Sequence, residues 1–289
     1  MLTVPARAGF VVLALVLGAL PGPTFALGDA KRGAYLAKAG GCLGCHTQDR
    51  KDAVPYAGGR ALKTPFGTFY GPNITAYPEA GIGRWSQEDF ARALRSGVRP
   101  DGAHYFPAFP YPSFTRISDA DARDLWAFLT SLPPSPQRNR PHELRFPFGW
   151  RALAGIWKWL YFVPGPSAPD PSRSAVLNRG DYLVNALGHC GECHTPRNAL
   201  GGSRRDRHLA GGKGPEGKGV PNLTPAKLKK WSDDELGEFL LSGLTPDGDV
   251  AAQSMAEVVR NTTSQLTRED LAAVVAYLRA LPALADEPR

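Results

Sequence analysis

The chain's four cysteines fall in two copies of one five-residue pattern. Cys42-Leu43-Gly44-Cys45-His46 and Cys190-Gly191-Glu192-Cys193-His194 each set two thiols three residues apart, with an imidazole beside the second. On a helix, positions i, i+3 and i+4 share one face, so both thiols and the imidazole of each copy project to one side. That spacing is the attachment pattern for c-type haem, in which the thiols bond the vinyl groups and the imidazole reaches iron. A zinc site or a redox dithiol has no need of a histidine directly after the second cysteine. Four cysteines in an exported chain would ordinarily suggest two disulfides, and this placement argues against them.

The surrounding sequence is duplicated as well, and a repeat of this size means two similar units in tandem. Arg32-Gly33-Ala34-Tyr35-Leu36 returns as Arg179-Gly180-Asp181-Tyr182-Leu183, and Pro72-Asn73-Ile74-Thr75 returns as Pro221-Asn222-Leu223-Thr224. Trp85-Ser86 matches Trp231-Ser232, and Ser96-Gly97 through Asp101-Gly102 matches Ser242-Gly243 through Asp247-Gly248. Leu125-Trp126-Ala127-Phe128-Leu129 matches Val274-Val275-Ala276-Tyr277-Leu278, and a proline follows each at Pro133 and Pro282. The offsets stay between 146 and 149 residues, so the two copies are nearly colinear.

The 32 glycines and 27 prolines among 289 residues predict long loops, and no strand-rich stretch offsets them, so the fold is mostly α. A first helix is expected over Asp29–Ala39 and again over Arg179–Leu187, each running into the cysteine motif. Ser86 and Ser232 precede acidic residues and so mark the start of a middle helix in each copy. A last helix opens at Asp119 in one copy and at Thr267-Arg268 in the other, and each stops before its proline. Trp126, Phe128 and Tyr277 read as packing residues. Between the copies lies a stretch rich in proline and aromatics, including Phe146-Pro147-Phe148-Gly149-Trp150 and Ile156-Trp157-Lys158-Trp159-Leu160-Tyr161-Phe162. It reads as a strap across both copies, or else as a docking face for a membrane or partner; the strap is preferred because exposed aromatics invite aggregation. Pro164 to Ser174 reads as an extended spacer.

The first 26 residues read as an export signal: one charge at Arg7, an apolar run from Phe10 to Leu20, and Thr24-Phe25-Ala26 before a cleavage point. Eleven apolar residues are short against the roughly 20 that span a bilayer, although an uncleaved anchor is the other reading. The expected layout is a signal over 1–26, a first haem domain over 27–135, a linker over 136–178 and a second haem domain over 179–289. The net charge of +7 favours acidic partners or anionic surfaces, and it is too mild and scattered to suggest nucleic acid.

Arg179 to Asn198, with Val220-Pro221-Asn222-Leu223-Thr224 and Ser254-Met255-Ala256-Glu257-Val258-Val259, resembles the dihaem cytochrome c subunits of periplasmic alcohol, gluconate and aldehyde dehydrogenases. The resemblance covers nearly the whole chain after the leader, with two haem motifs where many relatives have three. It implies two tandem class I-like cytochrome c domains, covalent haem c on Cys42/Cys45 and Cys190/Cys193, and His46 and His194 as axial ligands. It also implies single-electron transfer from a periplasmic dehydrogenase to a quinone, cytochrome or terminal oxidase; no nucleophile–base pair or carboxylate dyad stands in a recognisable context, so the haems carry the chemistry. The location would be periplasmic, with peripheral contact to the inner membrane as a further reading.

The sixth ligands separate the copies. Met255, the only methionine besides Met1, stands seven residues beyond Gly248, and a thioether there raises the potential of haem two. The same count beyond Gly102 reaches Phe109, which cannot ligate iron. His104, two residues past Gly102, is the nearest candidate for haem one, with His142 farther away in the linker; a five-coordinate iron is the other reading. A bis-imidazole haem one would have the lower potential, and electrons would enter there and leave from haem two. His189 is expected to bond backbone or a haem propionate. His208, in Arg204-Arg205-Asp206-Arg207-His208, belongs to a basic run that either docks an acidic partner with Arg197, Lys213 and Lys218 or is a solvated face. The missing methionine keeps alive an alternative, a dihaem peroxidase or sulfur-compound oxidoreductase with haem one as its catalytic site.

Overall fold

The computed structural model describes residues 28–214, 217–251 and 253–286, so the expected signal segment lies outside the described residues. The first copy runs α1 (Ala30–Ala39), α2 (Cys42–His46), the strands β1 (Ala61–Thr64) and β2 (Gly67–Tyr70), then α3 (Gln87–Ser96), α4 (Tyr111–Phe114) and α5 (Asp119–Ser131). The intervening stretch holds β3 (Glu143–Leu144) and α6 (Arg151–Tyr161). The second copy runs α7 (Ala175–Tyr182), α8 (Gly191–His194), β4 (Gly212–Lys213), β5 (Gly219–Val220), α9 (Pro225–Leu228), α10 (Asp233–Ser242), α11 (Gln253–Asn261) and α12 (Arg268–Ala280).

Local chemistry sets the helix starts. Ser86 and Ser232 each accept from the backbone three residues on, while Asp89 and Glu235 reach back to the cap nitrogen, a capping box in both copies. Ser118 and Thr267 cap the last helices, and Asp29 caps α1 with two backbone donors. The expected helix over Arg179–Leu187 differs from the structure. It begins earlier, at Ala175 under a Ser174 cap, and its last turn, Leu183–Leu187, widens so that the Gly188 N–H donates to the Leu183 carbonyl at 2.6 Å. A further departure from the helical expectation is a small antiparallel sheet, β1-β2-β3, in which the linker's Glu143 and Leu144 pair with Thr68 and Gly67.

Each letter of the repeated Arg-Gly-x-Tyr-Leu has a packing task. Arg32 pairs with Asp121 and Asp124 on α5, and Arg179 with Asp270 on α12 at 2.6 Å. A Cβ at Gly33 would meet the Asp124 carbonyl and one at Gly180 the Ala273 carbonyl, so glycine lets the first and last helix of each copy cross in contact. Leu36 and Leu183 are buried in one apolar cluster that runs through both copies. The tyrosines cross between copies. Tyr35 donates to Asp270 of the second copy, and Tyr182 donates to Asp121 of the first at 2.5 Å. The cap nitrogens Thr267 and Ser118 donate to the same two hydroxyls at 3.3 and 3.1 Å. The exchange is reciprocal, as in a two-fold interface.

The linker both straps and protrudes. Lys158 donates to the Ser96 carbonyl, Trp157 to Leu200 O at 3.1 Å, and Tyr161 O accepts from Arg205 at 2.9 Å, so α6 bridges the copies. Yet Phe146, Phe148, Trp150, Ile156, Trp159, Leu160 and Val163 are exposed, Trp159 by 83 %. The expected strap across both copies is present, but its aromatics are not covered as that reading required. One face of α6 packs through Ala154 and Gly155, leaving an apolar stripe at 156, 159, 160 and 163 turned outward. Residues 163–170 form no helix or strand, as the spacer reading expects.

Candidate functional site

Both cysteine motifs form a short helical turn after a left-handed residue, Gly41 (φ 62°) in one copy and His189 (φ 41°) in the other. The four thiols are free and partly buried. Burial, then the neighbouring Cys45 thiol, pushes Cys42 up to about 12; burial, then Cys193, does the same for Cys190. Burial, then Glu257, raises Cys45 to about 11. Within each motif the two thiols share one short turn with the imidazole, a placement suited to thioether attachment.

The two imidazoles are held alike. His46 Nδ1–H donates to the Pro72 carbonyl and His194 Nδ1–H to the Pro221 carbonyl, each at 2.7 Å. That bond puts the proton on Nδ1 and leaves the Nε2 lone pair for a metal. Burial lowers both histidines' pKa, against the raising effect of the proline carbonyl, so both are neutral. The carbonyls are themselves positioned by the repeated Pro-Asn-x-Thr. Asn73 bonds Ser135 O, Gln137 O and Thr75, while Asn222 bonds Leu284 O and accepts from the Thr224 N–H. Sequence repetition singled out these asparagines, but their task as props for the axial histidine shows only in the fold. Free thiols on the same turn as a neutral imidazole with an open Nε2 fit covalent haem in both copies.

The motifs meet each other across the interface. His189 hydrogen-bonds to the backbone of Gly40, as one of its expected partners, and stacks edge-on to Phe114 at 5.5 Å. Cys193 is near enough to Cys45 to raise its pKa. Glu257 of α11 sits over Gly44 and pairs with Arg60 at 2.7 Å, while Ser113 of the first copy donates to Glu192 of the second motif at 3.0 Å. Each motif is therefore braced by the other copy.

On the distal side the copies share a hairpin and then diverge. α3 and α10 end on left-handed glycines, Gly97 and Gly243, followed by the paired bridges Val98–His104 and Leu244–Val250 around Gly102 and Gly248. Met255 then lies in the first turns of α11, partly buried. Its counterpart Phe109 packs edge-on between Tyr105 and Phe114, at 5.3 and 5.8 Å. His104 takes the hairpin position that Val250 holds in the second copy. Its ring lies against Gly155 of α6, its carbonyl accepts from Arg151 at 2.8 Å, and its Nδ1 is buried without a partner. His142 accepts the Tyr70 N–H at 3.1 Å and packs on Phe69 and Phe106.

The basic run is surface-lying, and several of its groups bond within the chain. Arg205 and Arg207 donate to Tyr161 O and Ala285 O, Arg197 pairs with Glu192 at 2.5 Å, and His208 bonds Asn185 Oδ1 at 2.9 Å. Several of these groups line a cavity of about 720 Å³ behind the second motif, between α6 and the second copy.

A mainly helical repeat in which a Cys-x-x-Cys-His turn follows the first helix, with its imidazole locked by a proline carbonyl, defines a c-type cytochrome, here in two copies. The family model described as Cytochrome c matches residues 30–133 and 178–282, and the chain belongs to that family. It carries two haem c groups and is an electron-transfer cytochrome. It is 48% identical over 266 residues to a "Diheme cytochrome c-type" protein of Cereibacter sphaeroides, covering 89% of this chain and 87% of that one. It is 40% identical to an "Alcohol dehydrogenase (quinone), cytochrome c subunit" of Gluconobacter oxydans, covering 88% of this chain and 55% of that one. It is 41% identical to a "Fructose dehydrogenase cytochrome subunit" of Gluconobacter japonicus, covering 88% of this chain and 53% of the relative. The chain thus spans about half the length of the alcohol and fructose dehydrogenase subunits it matches.

Proposed function

We propose that this chain is an exported carrier that accepts single electrons from a periplasmic dehydrogenase and passes them to a quinone, cytochrome or terminal oxidase. The observation that carries the reading is the bracing of each haem motif by the other copy, through His189 beside Gly41, Glu257 over Gly44 and Ser113 donating to Glu192. When bound, each haem supplies an iron that cycles between two oxidation states. The chain's residues attach, orient and tune it. Cys42/Cys45 and Cys190/Cys193 hold the two groups; His46 and His194 ligate through Nε2, with Pro72 and Pro221 fixing ring orientation and basicity. Met255 supplies a thioether to haem two, which favours ferrous iron and makes that haem the exit. The leader-like first 26 residues and the free, motif-bound cysteines support export.

The outward stripe of α6, with Phe146 packed on Trp150 at 5.2 Å, supports peripheral seating on a membrane surface, where aromatic rings and a basic net charge are both favourable. Among the described residues no helix is long and apolar enough to cross a membrane. The test is to mix the oxidised holoprotein with a periplasmic alcohol, gluconate or fructose dehydrogenase and its substrate, and to follow reduction of the haem bands. Substrate-dependent reduction of both haems is expected. No reduction by any of the three, together with turnover of hydrogen peroxide or thiosulfate by the isolated protein, would overturn the carrier reading in favour of a catalytic haem one.

A further inference from the structure

The distal side of haem one lacks what the second copy has, and nothing in the first copy stands in for it. We propose that haem one keeps its sixth coordination position free behind an aromatic wall of Tyr105, Phe109 and Phe114, and so binds small neutral diatomic molecules of the carbon monoxide class, which haem two does not. The proposal rests on the reading that His46 ligates this haem.

The methionine and the histidines among the described residues stand elsewhere. Met255 is the only methionine beyond the leader, and it belongs to the second copy. The place it would take in the first copy holds Phe109, caged edge-on by Tyr105 and Phe114. His104 is held away by its backbone. The hairpin is pinned by Tyr105 N to Gly97 O at 2.9 Å, Arg99 N to Ala103 O at 2.9 Å and Gly102 N to Arg99 O at 3.0 Å. In the matching position of the second hairpin Val250 is exposed, so the register points this side chain outward, and in the first copy α6 covers it. Turning this residue to the inner face takes a backbone shift, which would break the Val98–His104 bridge and the Arg151 bond to its carbonyl. His142 is engaged at Nδ1 and clasped by Phe69 and Phe106, His189 bonds Gly40, and His208 bonds Asn185.

The following segment cannot adjust by coiling. Pro107, Pro110 and Pro112 confine it to the single turn α4, where the second copy has the nine-residue α11. An apolar aromatic wall disfavours charged ligands, which would lose their hydration there, and suits a neutral diatomic one. Binding forms one coordinate bond from the ligand's lone pair to ferrous iron, with no electron or proton transferred.

The experiment titrates the dithionite-reduced holoprotein with carbon monoxide and reads the haem absorption. One carbon monoxide per chain is expected, with half of the haem responding. His104→Ala should leave the titration unchanged, and Phe109→Met should abolish it while adding a second thioether-to-ferric charge-transfer band. Absence of binding in the parent protein, or binding gained only on His104→Ala, would overturn the proposal, the latter by showing the imidazole on iron. Should Phe109→Met fail to fold, electron paramagnetic resonance of the ferric parent decides the matter. One high-spin and one low-spin haem is expected; two low-spin haems overturn the open site. Binding of one carbon monoxide by a protein that no dehydrogenase reduces would remove the carrier reading and leave this one standing.

Discussion

The two copies agree where the chain must hold a haem and differ where it must tune one. Proximal histidine, proline carbonyl, supporting asparagine, left-handed residue before the first cysteine and glycine-ended middle helix all recur at nearly constant offset. Past the distal hairpin one copy continues as a helix bearing Met255, and the other as a proline-broken aromatic segment bearing Phe109. Helix α6 lies against His104 of the first hairpin, whereas Val250 of the second is exposed. Attachment and proximal geometry are thus set by a shared scaffold, whereas the distal segments diverge in sequence and form although each braces the other copy's motif, through Glu257 over Gly44 and Ser113 to Glu192.

The sharpest way to erase this difference is Met255→Ala. The midpoint potential of haem two should fall by on the order of a hundred millivolts towards that of haem one, with loss of the sulfur-to-iron band. Spectroelectrochemistry in which the two potentials keep their separation would assign Met255 to packing alone. Next in size are Gly33→Ala and Gly180→Ala. Each forces a Cβ into a carbonyl of the facing helix, and each should cost about 1–3 kcal/mol in denaturant unfolding. Equal costs would show that the copies share one scaffold, and unequal costs would show that one crossing dominates stability.

Tyr35→Phe and Tyr182→Phe each strip a cross-copy hydrogen bond from a carboxylate and should each cost about 1–2 kcal/mol. The cost of Tyr35→Phe should shrink in acid. For Asp270, burial raises the pKa, but hydrogen bonds from Arg179 and Tyr35 outweigh it, so its pKa lies below the ordinary value. A carboxylate depressed in the folded state contributes stability above its unfolded pKa of about 4 and loses it as pH falls through the folded value. Denaturation midpoints of the parent should therefore decline below about pH 4, and the Tyr35→Phe deficit should narrow there. The smallest effect on stability, within about 0.5 kcal/mol, is expected for Trp159→Ser, whose ring is exposed. Cosedimentation with anionic phospholipid vesicles should nonetheless weaken, and an unchanged partition would take the outward stripe out of membrane seating.

What the amino-acid order makes legible is whatever is encoded locally. The haem turns follow from cysteine spacing, and the capping serines from their own neighbours. The tyrosine exchange is hidden because Tyr35 and Asp270 are 235 residues apart and nothing in either stretch names the other. The strands β1 and β2 are hidden because the eight residues around Pro65-Phe66 show little alternation, and β3 completes the sheet from the linker. The start of α7 at Ala175 is obscured by the proline- and serine-rich run before it. The aromatic linker misleads through a sound general rule: covering apolar rings is favourable, but a single amphipathic helix has only one face to bury.

The reciprocal tyrosine contacts carry a consequence for origin and assembly. In a two-fold homodimer, residue i of one protomer meets residue j of its partner, and j meets i in return. Tyr35 with Asp270 and Tyr182 with Asp121 satisfy that relation within one polypeptide. The molecule has the plan of a symmetric dimer of single-haem units whose chains were joined end to end. Joining replaces association that depends on concentration with an intramolecular one, held at high effective concentration by the linker. It also frees the halves from being identical, so that Met255 stands in one where Phe109 stands in the other.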